Sequence, residues 1–216
     1  MNDMAKTKTT MAAAVAAMAT AFMLMVCANT ALAEDGINID TVKSGFTYTA
    51  IYYPHKDDAG MNVWNLYSGK GKAISSVKSS KTAVGAVKLA KGKKSFNLTI
   101  KKAGKTKVTY KYKGKKYAVT FKAVKYTKPV SSLKVGKKQY APAFAKRPVS
   151  NLGLAGGKLV VKAASGWSFQ SAEYGNDATG VTKSIKNGKK VPASADYINI
   201  AMKHKKSGAI VYITVA

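Results

Sequence analysis

Apolar and polar positions alternate with period two along most of this chain, most sharply in Lys107-Val108-Thr109-Tyr110-Lys111-Tyr112. Successive side chains of a strand point to opposite faces, so such a segment has one apolar face and one polar face. The alternation predicts strands over 37–42, 46–53, 61–67, 73–79, 83–89, 95–101, 106–112 and 116–126. Gly45, Pro54, Asp57-Asp58-Ala59-Gly60, Ser68-Gly69 and Lys113-Gly114-Lys115 punctuate them. A phase slip at Ala123-Val124 turns Val124 and Tyr126 to the opposite side. It predicts either a bulge or a strand leaving its sheet.

The second half repeats this style more weakly, with strands predicted over 133–135, 159–163, 167–174, 181–186, 197–202 and 209–215. The Asn187-Gly188 dipeptide predicts a type I′ hairpin turn, and the final hairpin turns near Lys206-Ser207-Gly208. Residues 140–157, which hold Pro142, Pro148 and several glycines, read as a long loop with one edge strand. No helix is predicted beyond residue 33. Many short strands with regular turn signals predict an all-β fold of two tandem small β-sandwiches. Thr127-Lys128-Pro129-Val130 reads as the linker, because proline cannot donate to a central ladder. The domains expected are therefore 34–126 and 131–216, joined by 127–130.

Residues 1–33 read as a signal peptide. Lys6 and Lys8 form a basic start, 11–26 is almost wholly apolar, and Ala31-Leu32-Ala33 offers a small-residue cleavage site. The apolar run is short for a bilayer span, which needs about 20 residues, so no membrane span is expected after cleavage. The only cysteine, Cys27, falls inside this segment, and lipid modification there is the alternative to cleavage after Ala33. A mature chain starting at Glu34 would then have no disulfide and no thiol nucleophile, and would be secreted or held at the cell wall.

Charge changes the picture most. The chain carries 37 Lys plus Arg against 9 Asp plus Glu, a net charge of +28. From Ala59 to Ala172 there is no acidic residue, and Arg147 is the lone arginine beside a dense set of lysines. Such a surface attracts polyanions over a Debye length of about 8–10 Å. The lysines of the central hairpin and its flanks are the candidate polyanion-binding residues: Lys101, Lys102, Lys105, Lys107, Lys111, Lys113, Lys115, Lys116 and Lys122. Lys107 and Lys111 are expected near Lys116 and Lys122 across the hairpin, where like charges cost stability.

Two segments suggest a family. Ile74-Ser75-Ser76-Val77-Lys78-Ser79-Ser80 followed by Ala83-Val84-Gly85-Ala86-Val87 resembles the middle of the bacterial immunoglobulin-like domains of group 2. The stretch from Leu98 through Ala103-Gly104 to Tyr110 is similar to that family's closing strands. The resemblance covers about residues 74–126, and the lysine load departs from the family's usual mixed charge. It implies an immunoglobulin-like sandwich in a bacterial surface protein or adhesin, serving as a spacer or binding unit with no catalytic residue.

Catalytic and cofactor chemistry finds little support. His55 and His204 are far apart, and His204 lies in Lys203-His204-Lys205-Lys206, where a turn accounts for it. His55-Lys56-Asp57-Asp58 could supply metal ligands and Asp177 a calcium ligand, but turns account for both without an ion. The remaining carboxylates, Glu34, Asp35, Asp40, Glu173 and Asp196, form no recognisable pair for glycoside hydrolysis. No cofactor is therefore expected.

Tyr110, Tyr112, Tyr117 and Tyr126 could stack bases, yet alternation places them on the apolar face with Val108, Val119 and Phe121. The near-absence of arginine also argues against reading bases, so no specific nucleic acid is expected. Tyr48, Tyr52, Tyr53, Trp64 and Trp167 could stack on sugars, although aromatics at strand spacing are more often core. The expected partner is an anionic cell-wall or host-surface polymer, such as teichoic acid, acidic capsule or sulfated glycan. The alternative is an adhesin-like module that recognises a defined protein or glycan through its loops, its lysines serving solubility.

Overall fold

The computed structural model describes residues 36–216, so the expected signal peptide and Cys27 lie outside the described residues. The first half builds eight strands: β1 (Ile37–Asn38), β2 (Thr47–Tyr52), β3 (Val63–Tyr67), β4 (Ile74–Ser79), β5 (Gly85–Leu89), β6 (Ser95–Ile100), β7 (Gly104–Tyr112) and β8 (Lys115–Lys125). They form two sheets, in the orders β1-β3-β6-β5 and β2-β8-β7-β4. Trp64 on β3 meets Phe121 on β8 edge-on at 5.8 Å, and Phe96 on β6 meets Tyr110 on β7 at 5.4 Å. The sheets therefore face each other across one apolar core, to which Leu66, Leu98, Val108 and Val119 also belong.

The second half adds β9 (Val130–Val135), β10 (Lys138–Gln139), β11 (Val149–Ser150), β12 (Gly157–Ala163), β13 (Trp167–Asn176), β14 (Val181–Ile185), β15 (Lys190–Val191), β16 (Tyr197–His204) and β17 (Ile210–Val215). Their orders are β10-β9-β12-β15 and β11-β17-β16-β13-β14. Leu133, Leu159, Val161, Ile200, Met202, Val211 and Ile213 from both sheets share a second core. The protein is all-β, and among the described residues no helix is long and apolar enough to cross a membrane.

Each half pairs one strand from its beginning in parallel with its last strand, β2 with β8 and β11 with β17. Hairpin periodicity cannot announce such a pairing, because the two strands are far apart in sequence. The β7–β8 turn is local by contrast: Lys113 and Gly114 adopt φ of 50° and 73°, the left-handed pair that suits a two-residue hairpin.

Several expectations are corrected. The strand expected over 37–42 stops at Asn38, because its side chain accepts the Asp40 N–H at 3.0 Å and bends the chain into a turn. Two short 3-10 helices replace coil and strand start: Lys56–Asn62 takes the expected turn and the first two residues of the strand expected over 61–67, and Ala141–Ala145 lies in the expected loop. Asn187-Gly188 does not close a hairpin: β14 pairs with β13, whereas β15 pairs with β12 in the other sheet. The Asn187 side chain instead accepts from the Val161 N–H and donates to its carbonyl, both at 2.9 Å, which pins a crossover between the sheets.

The phase slip at Ala123-Val124 is a strand leaving one partner. The ladder with β7 ends at Ala123, while β8 continues beside β2 to Lys125. Ile51 and Val124, paired in register on the far face of that sheet, pack into the second core. Tyr126 follows them there, so it does not share the apolar face of Tyr110 and Tyr112. Its hydroxyl donates to the carbonyls of Phe144 at 2.9 Å and Arg147 at 3.0 Å, and its ring lies 5.5 Å from that of Tyr53. Arg147 completes this junction. Its Nε and one terminal nitrogen reach Asp58 Oδ1 at 3.2 and 3.1 Å, and the other reaches Asp57 Oδ2 at 3.3 Å.

Candidate anion-binding face

β7 and β8 are long strands because their β-branched and aromatic residues fill one face of a well-packed sheet. Val108, Tyr110, Tyr112, Val119 and Phe121 point inward and are at most 2% exposed. The intervening positions must then point out, and on β7 these are Lys105, Lys107, Thr109 and Lys111. On β8 they are Lys116, Ala118, Thr120 and Lys122. Register sets their neighbours: Lys111 lies directly opposite Lys116, and Lys105 opposite Lys122.

Lys107 faces Thr120 and has Lys122 as its diagonal neighbour, so Lys107 and Lys111 lie near Lys122 and Lys116 as expected. β4 extends the face with Lys78, opposite Thr109, and β2 with Thr47 and Thr49. Six lysines and several hydroxyls thus cover one outer sheet face. Directly opposed like charges are about 5 Å apart at Cβ and destabilise the pair. A bridging phosphate, sulfate or carboxylate would remove that repulsion.

Five of the nine lysines expected to bind anions belong to this face: Lys105, Lys107, Lys111, Lys116 and Lys122. Lys101 and Lys102 follow β6 at one end of the β7–β8 hairpin, and Lys113 and Lys115 lie at the other end. Lys113 is already engaged, at 3.5 Å from Asp40 Oδ1 and 5.0 Å from the centre of the Tyr112 ring. Asp40 also accepts from the Tyr112 hydroxyl and, at 2.8 Å, from the Lys70 N–H. The Tyr112 hydroxyl above all holds this carboxyl below its ordinary pKa.

Lys78 was missed because β4 contains a register shift between Ser75 and Lys78, with Ser76 at a φ of 53°. A signal was present. Ile74 and Val77 are three residues apart, so they share an inward face only if one extra residue is accommodated between them.

The other candidate groups are dispersed or occupied. His55 accepts from the Asp57 N–H at 3.3 Å and caps its helix, while Arg147 takes both Asp57 and Asp58. Asp196 accepts from the Asp177 N–H at 2.7 Å. Burial, and then the Asp196 charge, push Asp177 above its ordinary pKa. Among the described residues no three metal-ligating side chains converge. Trp64 and Trp167 are buried at 7% and 3% exposure, so neither ring offers a face for a sugar. His204 contacts Ser207 Oγ at 2.8 Å and sits edge-on to Trp167 at a centroid distance of 5.0 Å.

No family model matches the chain, and no curated protein matches it. Among solved structures, domains 5–6 of the S-layer protein SbsC are similar at 13% identity and a TM-score of 0.29. That match covers 81% of this chain and 96% of the other.

Proposed function

We propose that this is a secreted, non-catalytic bacterial surface protein of two immunoglobulin-like domains, retained on anionic surface polymers by its lysine-rich sheet faces. One observation carries the retention: six lysines on the outer face of β4-β7-β8-β2, on strands that bear no acidic residue. An immunoglobulin-type sandwich places its first, second, fifth and fourth strands in one sheet and its third, sixth and seventh in the other. With β2 counted as an accessory strand, β1-β3-β6-β5 and β8-β7-β4 follow that order, which supports the reading of the first half. In the second half, β9-β12-β15 and β17-β16-β13 keep the order of six of those strands, while the fourth, β14, lies at the edge of the other sheet beside β13, and β10 and β11 are added edge strands. The basic start, apolar run and small-residue site of residues 1–33 support export.

Retention by lysine is diffuse and counterion-driven, so it weakens steeply with salt. Purified protein bound to isolated cell walls is expected to elute at a few hundred millimolar salt, and to lose retention once teichoic acid is stripped from the walls. Retention that persists in high salt would overturn the proposal and favour specific recognition of a protein or glycan.

A further inference from the structure

The second half carries a comparable face of its own. β9 and β12 pair antiparallel, with Leu133, Val135, Leu159 and Val161 turned into the core. Lys134, Lys158 and Lys162 therefore point outward, and all three are exposed. Lys134 lies opposite Val160, so Lys158 and Lys162 are its two diagonal neighbours. Lys158 in turn lies directly opposite the exposed Lys190 on β15. The four form a zigzag across three strands, with Ser132 beside Lys162. None is in an ion pair among the described residues. This repeats the arrangement on β7 and β8: a directly opposed lysine pair, further lysines at diagonal spacing, and a hydroxyl between strands.

We infer that the outer face of β9-β12-β15 is a second binding site for the same linear polyanion, so that one chain grips one polymer at two places. The inference rests on the anion-binding reading of the first face and adds a site in the other half. Charge complementarity selects the occupant. Around the outward Val160 the face offers ammonium and hydroxyl donors, which suits repeated anionic groups along a chain.

The junction of the two halves makes the second site matter. Arg147 bonded to Asp57 and Asp58, with Tyr126 bonded to the Phe144 and Arg147 carbonyls, limits how the halves reorient. Once one face is occupied, the other meets the same polymer at a high effective concentration. Linked sites of this kind raise avidity by 10²–10⁴ without any new contact, provided that one ligand spans both.

Polymer length is the test. Long-chain inorganic polyphosphate and tripolyphosphate serve as probes, since only the long chain could reach both faces. Three full-chain variants are compared with wild type: one with Lys134, Lys158, Lys162 and Lys190 changed to Gln, one with Lys105, Lys107, Lys111, Lys116 and Lys122 changed to Gln, and their combination. Glutamine keeps side-chain length, and thermal melts confirm folding. Wild type is expected to prefer the long probe strongly. Each single-face variant should lose tenfold or more of long-probe affinity, with a much smaller change for tripolyphosphate. Unchanged long-probe binding in the β9-β12-β15 variant would overturn the second site and leave the first intact. Unchanged binding in the β7–β8 variant as well would overturn both.

Discussion

Two outer sheet faces, that of β7-β8 in the first half and that of β16 in the second, treat polar residues in opposite ways. On β7 and β8 the outward lysines are unpaired by acid, while every large inward residue is core. On β16 the outward positions are as hidden as the inward ones: Tyr197, Asn199 and Ala201 are buried along with Ile198, Ile200 and Met202. A polar ladder crosses that sheet. Asn199 donates to Glu173 Oε1 at 3.3 Å, and the Thr214 hydroxyl donates to Asn199 Oδ1 at 2.7 Å. The three residues are opposite one another in register. Alternation reports burial cleanly only where one face is open to water. Where both faces are closed, it reports little.

The largest effect should come from the first core. Phe121→Ala removes the ring that meets both Trp64 and Tyr48, and by analogy with other aromatic truncations it should cost about 3–5 kcal/mol. Calorimetry would check this and show whether the second half melts with the first. A single shifted transition is expected while the junction is intact.

Next comes the junction itself. Arg147→Ala strands the Asp58 carboxylate, whose side chain is only 2% exposed, and breaking such a pair costs about 3 kcal/mol. It should also split the melt into two transitions. Arg147→Lys should recover only part of the loss, because an ammonium cannot reproduce the planar fork. Tyr126→Phe leaves two carbonyls without their shared donor and should cost about 1–2 kcal/mol, again by calorimetry.

Much of the first half was legible in the sequence. Strict alternation marked the β7 and β8 faces, Trp64 as core, and most lysines as outward. Lys78 was hidden by one extra residue in β4, and the slip at Ala123-Val124 announced that Tyr126 turns away without showing the second core it enters. The role of Arg147 could not be read at all. Its acidic partners lie about ninety positions away, at Asp57 and Asp58, and only the folded chain brings them together. In the second half, Asn187-Gly188 carried a hairpin signal whose side chain is used to bridge to Val161 instead. Gly175 had no signal either: a Cβ there would sit 2.1 Å from the Tyr197 hydroxyl, a clash visible only after β13 and β16 pair.

Smaller effects sharpen the contrast between the faces. Burial holds the Glu173 carboxyl above its ordinary pKa, with the Asn199 hydrogen bond opposing it. A carboxyl whose folded pKa is raised takes up protons on folding, so its ionisation costs stability as pH rises from its ordinary range through the raised value. Glu173→Gln should therefore raise stability at neutral pH and flatten the pH dependence just above the ordinary carboxylate range, as followed by melts. Asp40 has the opposite sign. Its stabilising contribution is present above its ordinary pKa and is lost as pH falls through its depressed value. On the open face, Lys111→Gln should relieve the repulsion with Lys116 and raise stability by about 0.2–1 kcal/mol, as read from the denaturation midpoint.

Charge on the β4-β7-β8-β2 face is proposed to hold the protein to an anionic polymer. The most direct measurement of this is the slope of log affinity against log salt on a sulfated glycan column, for wild type and for the variant with Lys105, Lys107, Lys111, Lys116 and Lys122 changed to Gln. Each anionic group neutralised by a lysine contributes to that slope through counterion release, by about 0.7–0.9 on nucleic acid polyanions. The variant, with an unchanged fold, should show a markedly shallower slope and earlier elution. An unchanged slope would contradict the proposal.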